Sequence, residues 1–600
     1  MTRPPTPFFW GRSPQPPAKR RPTALLGVLA LIVAGCAAPA APGTQPAVET
    51  GAVSAQAKSI TVGISSTVPA FSIVTFGTPA GGWSSLNELH SEGLVTSDTS
   101  SRAPVGRLAE RVPSLSDGSI SLLPDGRMRV EFSLRKGVTW QDGTPFTADD
   151  LLFAYRLGGP EGIPQYLNGA IPFMSSIEAP DPYTFVVYYK SPYFQGAALG
   201  PFLFWPLPKH LLGDAYDRFL ATQNPDDVLN ATYWTSGYVH LGAFRLTQFD
   251  PGNELTFQAY DGYFLGKPRV GTVHVRIFSD ENTLFSNLIA GTVDLSPDLA
   301  LRDATGPQIK KLWDASGDGA VYAVEGALRR YDPQRRPGIM LEPTVGDARV
   351  RKALLHGLDR EALSDGVNGG NPQMAAWSLV ARADPLYEAT RDGLRTYDYN
   401  PERARALLSE VGWVAGPDGS LRHTTDGRPF RTAIHVSIGN ENDGAASAAY
   451  WRQLGLQVDE HAWTPAETRD NRARAQYPGW DGTGGAAINL MGQMAATAES
   501  NWAGNRSGFE DPQAQQLVRA YRSSVELSDQ IQAIRRVNEY FVTELPALPL
   551  YFIAIYVAAR KGVRAFTADD VAGFVQDNPL VYGYGTLSRN AYLWDVQQAG

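Results

Sequence analysis

Cysteine is almost missing from this chain: of 600 residues only Cys36 carries a thiol. A lone cysteine makes no internal disulfide, and none is left elsewhere to act as a thiolate nucleophile or to hold zinc or an iron–sulfur cluster. Histidine is sparse too, with eight residues, none in His-Glu-x-x-His or another metal-ligand spacing. No metal and no cofactor is expected. The chain has no Gly-x-Ser-x-Gly nucleophile elbow and no Gly-x-x-x-x-Gly-Lys phosphate loop. It has no basic tract, and its formal net charge is −8, which argues against nucleic acid as a partner. No apolar run reaches the ~20 residues that a membrane-spanning helix needs. These absences point away from an enzyme and away from an integral membrane protein.

The single cysteine is nevertheless well placed. It ends the run Leu31-Ile-Val-Ala-Gly-Cys36, behind a leader that holds Arg3, Arg12, Lys19, Arg20 and Arg21 and no acidic residue. A basic stretch followed by the apolar residues 24–35 has the layout of a secretory signal peptide. Ala34 and Gly35 before Cys36 resemble the lipobox of bacterial lipoproteins, in which the cysteine thiol is lipidated and becomes the new N-terminus. The alternative is an ordinary signal peptide cut near Ala37-Ala38. Loss of the leader would take the net charge from −8 to −13. Residues 36–57, rich in Ala and Pro, read as a tether between lipid and folded body.

The body is 43% hydrophobic over the whole chain and rich in aromatics. Single cores stop growing near about 250–300 residues, so at least two lobes are expected. Ile60, Val62 and Ile64 alternate as the first strand. Pro124-Asp-Gly126 marks a turn, after which Met128, Val130, Phe132 and Leu134 alternate with polar residues, as in a strand buried on one face. Thr147 with Asp150 is a capping box. Asp280 and Gly291 bracket a helix between two strands, a β-α-β unit. Asp347, Asp359 and Asn400-Pro401 open three more helices. Ile434, Val436 and Ile438 alternate as a strand. Residues 545–559 are apolar but carry Pro546 and Pro549, and read as a buried strand. With no helix after it, the tail is expected to fold back onto the first lobe.

Several aromatics sit at turns beside Gly, Ser, Asn or Asp. Phe71, Trp83, Phe244, Trp377, Trp480 and Trp502 are candidate ligand contacts, each weighed against ordinary core packing. Trp480-Asp-Gly-Thr-Gly-Gly485 stands out, because glycines let a backbone approach a ligand closely; residues 482–485 are expected to form a flexible loop. Asn501-Trp502-Ala-Gly-Asn505 is similar.

One stretch is more specific than any of these. Residues 132–150, Phe-Ser-Leu-Arg-Lys-Gly-Val-Thr-Trp-Gln-Asp-Gly-Thr-Pro-Phe-Thr-Ala-Asp-Asp, resemble a signature of the family 5 extracytoplasmic solute-binding proteins of ABC importers, the group that binds peptides, nickel chelates and some oligosaccharides. Gly93-Leu-Val95, residues 104–110, Gly291-Thr-Val-Asp294, Arg349-Val-Arg-Lys-Ala-Leu354 with Leu358-Asp-Arg360, Asn400-Pro401 with Gly412-Trp413, and residues 505–512 resemble further family motifs in family order. The chain departs from the pattern at His240-Leu-Gly-Ala-Phe244 and at Tyr263-Phe264.

The resemblance implies an α/β fold: a two-lobe clamshell of the periplasmic-binding-protein type (class II, large peptide-binding form) with an extra subdomain in the first lobe. The expected organisation is a lipoprotein signal peptide at 1–35, a tether at 36–57, lobe I with its subdomain at 58–320, lobe II at 321–545 and a C-terminal return to lobe I at 546–600. It implies a monomer, lipid-anchored at Cys36 to the outer face of the cell membrane, that captures a short peptide and delivers it to an ABC permease and its ATPase. The alternatives are an oligosaccharide or a metal chelate as ligand, a sensor with the same clamshell, or a lipid-anchored hydrolase. The expected ligand contacts are Phe71, Trp83, Phe244, Trp377, Trp480, Asp481, Asn501 and Trp502, with the Asp481 carboxylate pairing a peptide amino terminus.

Overall fold

The computed structural model describes residues 58–71, 82–99, 103–159, 162–163, 169–201, 203–302, 305–384, 386–497, 504–572 and 585–597. Cys36, Asn501 and Trp502 lie outside them.

Two long antiparallel strands, Gly319–Pro333 and Leu548–Arg560, run through the middle of a ten-stranded mixed sheet. Leu548–Arg560 is apolar and buried on both faces over most of its length, as central strands are, and Gly319–Pro333 is buried chiefly in its second half. They carry a different set of partners at each end. Near Arg560, Leu295–Leu301 pairs with Leu548–Arg560, and Ser59–Ile64, Thr272–Ile277, Glu254–Ala259 and Phe244–Asp250 follow outward. Near Pro333, Trp480–Gly485 pairs with residues 328–333, and Arg431–Ser437 and Gln457–Trp463 follow. The two halves of the sheet are thus joined through the long pair. Between the halves the register shifts: Glu325 opposes Ala554 and Leu328 opposes Phe552, so Gly326 and Ala327 face Ile553 alone. A bulge of this kind bends a strand. At position 326 a Cβ would lie 2.4 Å from Ile555 Cδ1 and 3.1 Å from the Ile553 carbonyl oxygen, so any larger residue would have to displace Ile555.

A separate four-stranded antiparallel sheet is built from Ile120–Leu122, Met128–Ser133, Thr184–Tyr189 and Met174–Asp181. Met128, Val130 and Phe132 face inward and their neighbours face out. Helix Ala148–Gly158 begins at the Thr147–Asp150 capping box. A core separate from that of the first half packs helices Ala348–His356, Arg360–Val367, Pro401–Glu410 and Glu441–Gln453 against strands of the second half. Asp347, Asp359 and Asn400 cap the first three through their side chains.

Two expectations are corrected. Residues 482–485 are not a loop: they complete the strand Trp480–Gly485, paired with Gly319–Pro333 from Trp480↔Pro333 to Gly485↔Leu328. Glycine is needed at 482 because a Cβ there would stand 2.9 Å from both Tyr331 and Val436. Ile438 is not part of its strand, which ends at Ser437, and its side chain is exposed. Within the apolar stretch 545–559 the strand runs from Leu548 to Arg560. Leu545 takes φ +47° and closes helix Leu527–Glu544 instead.

The chain's end is fixed to early residues. Thr586 donates its backbone N–H to the Glu88 carboxylate, Arg107 donates to the Arg589 carbonyl and Asn590, and Lys58 pairs with Asp595.

Candidate functional site

A cleft of about 730 Å³ opens where the Trp480–Gly485 strand ends and helix Ala487–Ala495 begins. Thr483, Gly484 and Gly485 form one wall. Along one edge they pair with residues 328–330. Along the other edge the parallel partner Arg431–Ser437 matches only Trp480, Asp481 and Gly482. Three residues of strand edge therefore face the cleft without a ladder partner, and two of them are glycines that leave the backbone bare. Helix Ala487–Ala495 adds Ile488, Asn489 and Gln493. Its N-cap, Ala486, supplies no side-chain acceptor to the first turn, which carries no acidic residue. Neither its cap nor its first turn answers its leading N–H groups and the positive end of its dipole with a side chain.

Three arginines complete the lining. Arg330 reaches in from the long central strand and is 2% exposed. Its Nε donates to Asp332 Oδ1 at 2.9 Å, and its Nη2 lies 3.4 Å from Asp332 Oδ2 and 3.5 Å from Gln493 Oε1. Its Nη1 is buried and meets no acceptor among the described residues. Burial lifts the Asp332 carboxyl above its ordinary range, against the pull of Arg330 and with a push from Asp481. Arg506 donates from Nη1 to Asp481 Oδ2 at 3.3 Å. Arg522, at the end of helix Pro512–Ser523, has no hydrogen bond or ion pair to its guanidinium among the described residues. Burial lowers its pKa.

The predicted contact residues are scattered. Asp481 lies behind the cleft wall, 1% exposed. Its oxygens accept from Arg474 at 3.1 and 3.3 Å, from Trp463 Nε1 at 3.1 Å and from Arg506. Its two oxygens accept four hydrogen bonds from these protein groups, and Asp481 holds Arg506 in place. Trp480 is fully buried against Trp451, ring centroids 5.3 Å apart. Phe71, Trp83 and Phe244 are core residues of the first half. Phe71 stacks on Tyr238 at 4.1 Å, and Trp83 stacks on His90 at 5.3 Å. Trp377 is half-buried, with the Arg360 guanidinium 4.2 Å above its ring. Phe71 and Trp83 meet edge to face, ring centroids 5.5 Å apart, and Trp480 and Asp481 share a strand, but the structure does not gather the described candidates around one cleft. Sequence reasoning passed over Arg330, Arg506, Arg522, Asn489 and Gln493. One signal was present: Arg329-Arg330, two adjacent charges in a strand that also carries Glu325 and Asp332, where burial demands a partner or a use.

A sheet divided into two halves by a bulged central pair, with a cleft at one strand end, defines a two-lobed α/β binding protein. The chain belongs to the bacterial extracellular solute-binding proteins, family 5, whose family description matches residues 104–502. That membership makes it a binding protein rather than an enzyme. Among curated relatives, oligopeptide-binding protein AppA of Bacillus subtilis (strain 168) is 24% identical over 341 residues, or 56% of this chain and 58% of AppA. The dipeptide-binding protein of Escherichia coli (strain K12) is 22% identical over 516 residues, or 79% of this chain and 89% of that protein. Two solved structures share the fold. One is the oligopeptide-binding protein of Thermus thermophilus complexed with a pentapeptide (TM-score 0.66, 21% identity, 90% of this chain and 96% of that one). The other is NikA of Brucella suis in complex with Fe(III)-EDTA (TM-score 0.66, 19% identity, 85% and 98%). Among the described residues no helix is long and apolar enough to cross a membrane.

Proposed function

We propose that this protein is the ligand-capturing component of an ABC import system and that its ligand is a short peptide. The observation that carries the reading is the unpaired edge of Thr483, Gly484 and Gly485 in the cleft wall. An extended peptide presents alternating N–H and C=O groups to such an edge, and main-chain pairing is indifferent to side chains. The relatives named for oligopeptides and dipeptides support the same class. Ligand touching both halves of the sheet would favour the closed state, with the bend taken up at the Gly326–Ala327 bulge. The closed form then docks on a membrane permease, whose ATPase drives transport. Lipidation of Cys36, with residues 36–57 as tether, would keep the protein beside that permease and raise the effective concentration.

Native mass spectrometry of the full chain, purified from membranes of an expressing bacterium, tests both parts. Adduct masses that resolve into peptides support the ligand class. Sugar or chelate masses overturn it. A chain retained on membranes as wild type but released as Cys36→Ser supports the anchor; equal partitioning of the two removes it.

A further inference from the structure

The long central pair is one connection between the two halves, and a second lies beside the cleft. It is made by residues 193–195, just past the four-stranded sheet, and by helices Pro512–Ser523 and Leu527–Glu544. Phe194 donates its backbone N–H to the Arg522 carbonyl at 2.9 Å, and its own carbonyl accepts from Gln530 Nε2 at 3.4 Å. The Phe194 ring meets Tyr521, centroids 5.0 Å apart. Both Phe194 and Gln530 are buried. Arg522 also lines the cleft, which puts this contact at the cleft's rim. Each side of it is fixed to its own half. Tyr189 of the four-stranded sheet donates its hydroxyl to the Gly196 carbonyl at 2.9 Å, and Tyr193 stacks on Phe173, centroids 4.5 Å apart, where the chain enters Met174–Asp181. On the other side, Tyr397 donates its hydroxyl to the Val542 carbonyl and Arg351 donates to the Glu544 carbonyl. Tyr397 belongs to the core of the second half, and Arg351 to its helix Ala348–His356.

We infer that Phe194 and Gln530 form a clasp that is made only while the two halves are shut, and that it holds ligand in the cleft without touching it. The bulge at Gly326–Ala327 lets the central pair bend. The clasp joins bodies on either side of that bend, so opening must break it. It breaks without stranding a buried donor. Gln530 Nε2 also meets the carbonyls of Ser524 at 3.1 Å and Val525 at 3.2 Å, both next to its own helix, and keeps them when Phe194 leaves. A contact present in the closed state alone shifts the open–closed equilibrium by one factor, whatever ligand is bound. With the peptide reading above, on which the choice of probes rests, every peptide therefore gains equally, and the gain shows as slower release.

The test joins amide hydrogen exchange at Phe194 to calorimetric titration, both on the full chain. Saturating Ala-Ala-Ala should slow exchange at Phe194. Gln530→Met should speed it in the ligand-free chain while Met128–Ser133 exchanges as in wild type, which shows that the variant is folded. The same variant should raise Kd by one common factor, up to about tenfold for a lost hydrogen bond, for Ala-Ala-Ala and Ala-Lys-Ala alike. Phe194→Leu keeps both backbone groups and removes only the aromatic pair, and should raise both constants by a smaller common factor. If peptides bind and both variants bind them as wild type does, the contact is permanent: the clasp falls and the peptide reading stands. A loss confined to one of the two peptides makes Gln530 part of the ligand's own contacts and also overturns the clasp. If no peptide binds, the ligand-free exchange decides. Faster exchange at Phe194 in Gln530→Met, against an unchanged Met128–Ser133, keeps the clasp and removes the peptide reading; unchanged exchange at Phe194 overturns both.

Discussion

At the scale of single residues, the instructive position is Asp481. Its place before Gly482 reads as a turn acid free to meet a ligand. In the fold it alternates with Trp480 along a strand, and the alternation turns Trp480 into the core while Asp481 points at Arg474 and Arg506. The carboxylate is therefore part of the unligated protein's electrostatics. Removing one partner from a buried ion pair leaves an uncompensated charge and costs roughly 3–5 kcal/mol. Asp481→Asn should lower the stability of the ligand-free protein by about that amount in urea unfolding. An unchanged unfolding midpoint with a loss only of ligand affinity would show that the carboxylate faces the ligand instead.

At the scale of elements, local chemistry was legible where the signal is local. Thr147 and Asp150 cap their helix reciprocally because a four-residue pattern brings the side chains together whatever lies elsewhere. Asp280 accepts from the Thr283 N–H at 2.8 Å, and Gly291 takes φ +76° at the other end of that helix, for the same reason. The bend between the two halves was not legible. Gly326 is one of 59 glycines, and nothing beside it in sequence shows that two residues there oppose one on a strand more than two hundred residues away. Overfilling a packed site costs typically about 1–3 kcal/mol. Gly326→Val should therefore destabilise the protein by that order. It should also diminish the ligand-induced fall in radius of gyration seen by small-angle X-ray scattering. Full compaction in the variant would place the bend elsewhere.

At the scale of the whole molecule, the chain closes on itself through buried polar groups. Glu88 and Arg107 receive partners from residues 586–590, and Arg107 acts electrostatically on Glu92. Burial pushes the Glu92 carboxyl up to about 8, against the pull of Arg107 and the hydrogen bond from Tyr263. The native state therefore keeps a proton on Glu92 that the unfolded chain gives up near its ordinary value of 4.5. Between those values the native state binds more protons, so stability falls as pH rises, with a limiting slope of about 1.4 kcal/mol per pH unit. His90 shifts the opposite way, down to about 3. Its contribution is complete above its unperturbed value and is lost on acidification. From pH 6.5 to 8, Glu92 therefore carries the trend of this pair. Glu92→Gln should flatten the loss of stability across that window in denaturant unfolding; a slope equal to wild type would mean that Glu92 is ionised in the fold.

The sequence by itself determined the class of the molecule. Ordered motifs such as residues 132–150, the caps at Asp347, Asp359 and Asn400, and the strand periods at 60–64 and 128–132 each depend on neighbours within a few residues, and together they led to a solute-binding α/β protein. Only the tertiary structure decided the site. Arg330, Arg506 and Arg522 are separated by 176 and 16 positions in the chain, and no period or spacing connects them. They meet because the long central strand, the end of the glycine-bearing strand and the helix Pro512–Ser523 converge. Which charge is neutralised and which is left facing the cleft is fixed by that convergence, since electrostatic pairing depends on distance in space rather than along the chain.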